Sequence, residues 1–270
     1  TQAANLTSTQ LNLMQTSDVA ALGTAAVASL TSTQLNALTS TNLQALTTTQ
    51  MPGLTTAAVA NLSTTQLNLL ETSDVAALST AAVASLTSTQ LNALTSTNLQ
   101  ALTTVQNAVL TTTQAANLTS TQLNLMQTSD VAALGTAAVA SLTSTQVNAL
   151  NSTNLQALTT AQAGALTTTQ AANLTSTQLN LLQTSDLAAL GSAAVASLTS
   201  TQVNALNSTN LQALTTAQAA KLSTTAVANL STTQLNLMET SDVAALSTGQ
   251  VAGLTSTQLN ALTSTNLQAL

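Results

Sequence analysis

The sequence predicts an all-α solenoid of short capped helices, one for each eight residues. Three observations carry that expectation. First, every eighth residue from Leu6 to Leu270 is leucine, apart from Met14, Met126 and Met238, and no insertion breaks the frame. Second, with that leucine as position one, position three is Ser or Thr in every complete octad, and position six is apolar everywhere except at Asn107. Third, the octad Leu30-Thr-Ser-Thr-Gln-Leu-Asn-Ala37 and its variants carry two helix-start signatures in one short string.

Those signatures fix the helix start. In Leu198-Thr199-Ser200-Thr201-Gln202-Val203, the position-two Thr is a good N-cap. The position-five Gln then falls at N3, where it bonds back to the cap amide as a capping box. Positions one and six become N′ and N4, the pair that forms a hydrophobic staple. Gly23, Gly135, Gly191, Asn151 and Asn207 are acceptable caps at position two. In the Thr-Ser-Asp octads a Gln or Glu stands there, so the expectation shifts the cap to the position-three Thr and places Asp in the first turn against the helix dipole.

One straight helix is excluded. Eight residues make about 2.2 turns, so positions one and six would smear around the cylinder. A single octad buries too little to order itself, so stability must come from stacking coil on coil. The alternative is a β-solenoid, with position-one Leu and position-three Ser/Thr both pointing inward. Against it stand the Ala-Ala-Val-Ala stretches, the Gln and Leu content, and the absence of Ile and aromatics.

The array expected is a single one, 1–270, cut from a longer chain: it opens in mid-octad at Thr1 and stops at Leu270 on position one. Within it runs a second period. Asp18, Asp74, Asp130, Asp186 and Asp242 lie 56 residues apart, which is seven octads, and residues 113–134 duplicate 1–22. The sixth octad of each set collects the irregularities: Met51-Pro52-Gly53, Val105 and Asn107, Gly164, and Lys221. One superhelical turn per seven octads is the simplest geometric reading of the period; tandem duplication alone would also produce it.

Composition narrows function. Charged residues are 3% of the chain, where about 25% is usual. The net charge of −6 offers no footprint for nucleic acid. Apolar runs are far shorter than the roughly 20 residues a membrane span needs, so no membrane insertion is expected. Without His or Cys, no Ser-His or Cys-His nucleophile pair exists, and no glycine-rich phosphate loop appears. The chain reads as no enzyme and needs no cofactor.

Carboxylates are the remaining chemistry. Glu71 with Asp74, and Glu239 with Asp242, are weak metal candidates, since a calcium site wants six to eight oxygens and Asp18, Asp130 and Asp186 have Gln partners instead. Helix-end electrostatics and a little solubility account for these acids more simply. The structural core is assigned to the position-one residues, represented by Leu38, Leu78, Leu134, Leu198 and Leu262.

Octads such as 78–85 and 214–221 resemble the repetitive regions of very large bacterial secreted or cell-surface proteins of adhesin or large-exoprotein type. The resemblance implies an extracellular or cell-surface location and a role in a fibre, sheath or surface layer. The nearly uncharged Thr/Asn/Gln surface favours self-association into a homo-oligomer or filament. The second functional expectation is a binding module that takes glycan or ice along its polar face, which the Thr-x-Thr spacing suggests at Thr7-Ser8-Thr9 and Thr39-Ser40-Thr41.

Overall fold

A computed structural model describes residues 2–270, and among these every regular element is a short helix. The α-helices run four to six residues, as in Thr216–Ala219 and Thr72–Ala77, with 3₁₀ turns at Ala3–Asn5 and Met51–Gly53. No strand occurs among the described residues, so the β-solenoid alternative is not supported. One helix per octad is what the capping signature predicts.

Two extended residues separate successive helices, and they explain why the helices stop. Leu38 ends one helix at φ −62°, ψ 138°, and Thr39 caps the next at φ −61°, ψ 155°. The chain thus leaves each helix without a left-handed residue; no described residue has positive φ. Gly at helix ends is normally recruited for that conformation. Here it is not needed, which is why 270 residues manage with seven glycines.

The cap sits at position two as predicted. The Thr87 hydroxyl accepts from the Gln90 amide at 3.2 Å, and the Thr87 amide donates to Gln90 Oε1 at 2.7 Å. The Thr-Ser-Asp octads correct the expectation. Their N-cap is still position two (Gln15, Glu71, Gln127, Gln183, Glu239), and the Thr at position three is already helical. Frame outranks cap chemistry here. The two-residue extended link after each position-one residue fixes where the helix starts, and Asp at N3 supplies the return bond, as the Gln15 amide donating to Asp18 Oδ2 shows.

The chain divides into two compact units, Thr1–Ser141 and Leu142–Leu270. Each is a solenoid in which a helix packs on the helix three octads further on: Thr56–Ala60 on Thr80–Ser85 in the first unit, Thr160–Gly164 on Thr184–Ala189 in the second. Positions one and six line a thin interior strip. Leu38, Leu78, Leu134 and Leu198 are all buried, as are position-six Leu35 and Val195; Leu262, in the final coil, is half-buried.

Side-chain bonds between coils set the rise of the stack. They span from 25 residues, as from Asn12 to Ala37, to 31, as from Gln90 to Val59, and centre on the 28 that separates Gln90 from Leu62. A coil therefore holds about three and a half octads, and each helix sits over the junction of two helices below. The 56-residue period is two coils rather than one. Seven is the smallest whole number of octads that closes a whole number of coils, so only at that interval does the same residue meet the same neighbours.

Candidate functional site

The chemistry of this molecule is concentrated in two rows of polar side chains running along each stack. Position five, buried from Gln34 onward except at the half-buried Gln234, faces the coil before. Gln114 shows the pattern in full. Its Oε1 accepts from the Thr111 amide at 2.8 Å and closes the capping box. Its Nε2 donates to the carbonyls of Val83, Ala84 and Leu86 at 3.0, 3.3 and 2.7 Å. Those carbonyls end a helix; that of Val83 also accepts from the Leu86 amide, while Ala84 and Leu86 gain from Gln114 the partner that the last turn does not supply. One side chain finishes two helices at once.

Position seven faces the coil ahead. Asn68 Nδ2 donates to the Ala93 carbonyl at 2.6 Å, and its Oδ1 accepts from the Thr95 amide at 2.9 Å. Asn12, Asn180 and Asn236 make the same clamp. The two rows divide the work. Position-five Asn turns its amide to the coil before and does not bond its own cap amide, and in those octads position seven of the preceding coil takes it, as Asn68 takes the Thr95 amide in the octad of Asn98. Where both reach, the amide is either shared, as the Thr119 amide is between Asn92 Oδ1 and Gln122 Oε1 at 3.3 and 3.1 Å, or one acceptor loses. Asn36 takes the Ser63 amide and leaves Gln66 Oε1 unpartnered; Gln178 and Gln234 take their cap amides and leave Asn148 Oδ1 and Asn204 Oδ1 unpartnered.

Five octads place Asp at position five. Asp18 is exposed, but Asp74, Asp130, Asp186 and Asp242 are all buried. Solubility is therefore not what the four interior acids provide. Burial pushes the Asp74 carboxyl up to about 6, with the nearby Glu71 charge adding to the effect and the Glu71 backbone bond opposing it. Asp130 is raised by burial against the Asn107 amide beside it, and Asp242 by burial against the Thr216 hydroxyl.

Each Asp helix packs on the irregular sixth octad, three octads earlier: Thr128–Ala133 on Thr104–Ala108, Thr184–Ala189 on Thr160–Gly164, Thr240–Ala244 on Thr216–Ala219, and Thr72–Ala77 on Met51–Gly53. That octad supplies the donor. Thr160 Oγ1 donates to Asp186 Oδ1 at 3.0 Å and Thr216 Oγ1 to Asp242 Oδ1 at 2.8 Å. Asn107, the single polar residue at position six, is buried, and its Nδ2 also serves the carbonyls of Leu102 and Thr103. The exception is Asp74, which faces the Met51–Gly53 turn instead of such a donor; its buried Oδ2 lacks a partner, as does Asp186 Oδ2.

The metal candidates are split by this arrangement. Glu71 and Glu239 are exposed at position two, whereas Asp74 and Asp242 point inward from position five of the same octads. No group of three or more His, Cys, Asp or Glu gathers among the described residues. Sequence reasoning found the capping half of position five but missed its second bond and the whole position-seven clamp. The signal was present in the 56-residue period, which encodes the coil length.

Fold and ladder together define a tandem-repeat helical solenoid, a class in which neighbouring repeats complete one another. The sequence matches the ALTTAQ repeat over residues 13–48, 68–104, 123–160, 179–216 and 236–270, and the chain belongs to that family. Each matched stretch contains one of the five aspartates, and the string Ala-Leu-Thr-Thr-Ala-Gln itself stands at 157–162 and 213–218, leading into the sixth octad. No curated protein matches the chain.

Proposed function

We propose that this chain is a structural, non-catalytic segment of an extracellular fibre, sheath or surface layer, working by stacking along its axis and by self-association. The observation that carries the reading is where the polar groups go. Positions five and seven spend their amides inside the stack and position two spends its hydroxyl on the cap, while positions three and four are exposed Ser and Thr, as at Ser96 and Thr97. With four of the seven acids buried, the exposed face carries even less charge than the formal −6 suggests. A surface of that kind does little to hold copies apart. No helix among the described residues is long and apolar enough to cross a membrane.

The test is light scattering over a concentration series, followed by negative-stain microscopy of the same sample. Filaments or sheets that grow with concentration and without added ligand support the reading. A particle that stays monodisperse at high concentration removes it. The outward hydroxyl rows favour one second reading, a module that binds glycan or ice along that face. Thermal hysteresis or glycan-array binding by a monodisperse particle would select it.

A further inference from the structure

The register of the ladder carries an inference about Asp74. Asn and Asp have the same shape, and Asn at position five donates to two carbonyls of the coil before. Asn98 Nδ2 meets the carbonyls of Leu67 and Leu70 at 3.2 and 3.3 Å, and Asn42 meets those of Leu11 and Met14 at 3.0 and 3.4 Å. The same offsets from Asp74 fall on Leu43 and Leu46. An ionised carboxylate has nothing to donate there, and its buried Oδ2, like that of Asp186, has no partner; what sets Asp74 apart is the missing sixth-octad donor. The three other interior aspartates have a donor from the sixth octad; Asp74 has the Met51–Gly53 turn.

We propose that Asp74 is a proton-binding site: the fold holds it as the neutral acid, with its single Oδ2–H donating into the pair of Leu43 and Leu46 carbonyls that an Asn amide would meet, so that acidification tightens this part of the stack. The elements packed against its helix, Met51–Gly53 and Ser96–Gln100, contain no titratable side chain, and the one neighbouring charge is Glu71 on its own octad. A cation is the poorer occupant. The pocket offers one carboxylate and backbone carbonyls, whereas calcium takes six to eight oxygens.

The sign follows from linkage. A carboxyl whose folded value lies above its unfolded one favours folding when protonated, so the contribution is complete below the unfolded value and fades as pH rises through about 6. The experiment compares the full chain with Asp74→Asn by denaturant unfolding at about pH 5 and about pH 8, and follows the five Asp side-chain carboxyls by NMR. The chain has no histidine, so its side-chain titration in this window belongs to carboxyls. The folding constant of the parent should be roughly tenfold larger at the lower pH through Asp74 alone. Asp74→Asn should fold more stably than the parent at the higher pH and lose that tenfold gain. One Asp signal should titrate near 6 and vanish in the variant. The proposal fails if no Asp signal titrates above about 5, or if the high one survives Asp74→Asn. It also fails if calcium at the higher pH stabilises the parent but not the variant, which would make this a cation site.

Discussion

Two sixth octads in the unit Thr1–Ser141 solve one problem differently. At 102–109 the chain forms the helix Thr104–Ala108 and sets Asn107 beside Asp130; at 46–53 it forms the 3₁₀ turn Met51–Gly53 and sets Met51, fully buried, where that Asn would be. Pro52 stands in the turn and has no amide to continue an α-helical ladder. The first arrangement gives a buried acid a donor, and the second gives the core a larger side chain. A residue that looks anomalous in the octad consensus is therefore not noise. Its role is set by the residue it meets one coil later, and the octad that varies is the one that faces the acid.

The largest effect is expected from the interior strip of position-one residues. Leu134→Asp puts a charge into a buried position with no cation to pair it, since the chain's one base is Lys221. A loss of at least about 4 kcal/mol is expected, read as collapse of the helical signal at lower denaturant. An unchanged melting profile would show that position one is not core.

A finer cut separates donor from packing. Asn107→Ala places at position six the residue already found at Ala163 and Ala219, where a Thr hydroxyl serves the acid instead. Thr104 stands in the register of Thr160 and Thr216, so it can rotate onto Asp130 in the variant. The single change should cost about 1–2 kcal/mol. Combined with Thr104→Val it should cost more than the two singles added, because the substitute donor is then gone. Additive values in a double-mutant cycle would show that the two side chains do not share the carboxyl.

The position-seven clamp predicts a smaller effect. Asn68→Ala removes one bond at 2.6 Å and one at 2.9 Å from a half-buried site, and water can reach the amide left behind. About 1 kcal/mol is expected, seen as a modest shift in the unfolding midpoint. Faster hydrogen exchange at the Thr95 amide would locate the loss.

Much of this fold is legible in the residues. The frame of leucines gives the helix length, and Thr87 with Gln90 gives the cap and its return bond. The buried position of Asp74 is not legible, because burial at position five depends on which coil lies below. The Nε2 bonds of Gln114 are hidden for the same reason: they reach back 28 to 31 residues, and no window that short-range rules use extends so far. The 56-residue spacing of the aspartates holds the missing number, but it takes the side-chain bonds to show that it counts two coils.

The smallest expected effect has the opposite sign. Gly164 occupies position seven of its sixth octad, and a Cβ there would meet the Ala189 carbonyl oxygen at 3.0 Å, a contact that requires a shift of a few tenths of an ångström. Geometry alone leaves the outcome of Gly164→Ala balanced between that contact and the gain in helix propensity of about 1 kcal/mol. The repeat resolves it. Ala108 and Ala220 fill the same position over helices of the same sequence type, Thr-Ser-Asp, without breaking the stack. The coil spacing therefore already accommodates a methyl at this register, and the propensity gain should win. Gly164→Ala is expected to stabilise the unit Leu142–Leu270 by about 0.5 kcal/mol, measured as a small rise in unfolding midpoint with an unchanged slope. A loss instead would mean that the coils at Gly164 sit closer than those at Ala108, and that each sixth octad is fitted to its own acid rather than to a shared register.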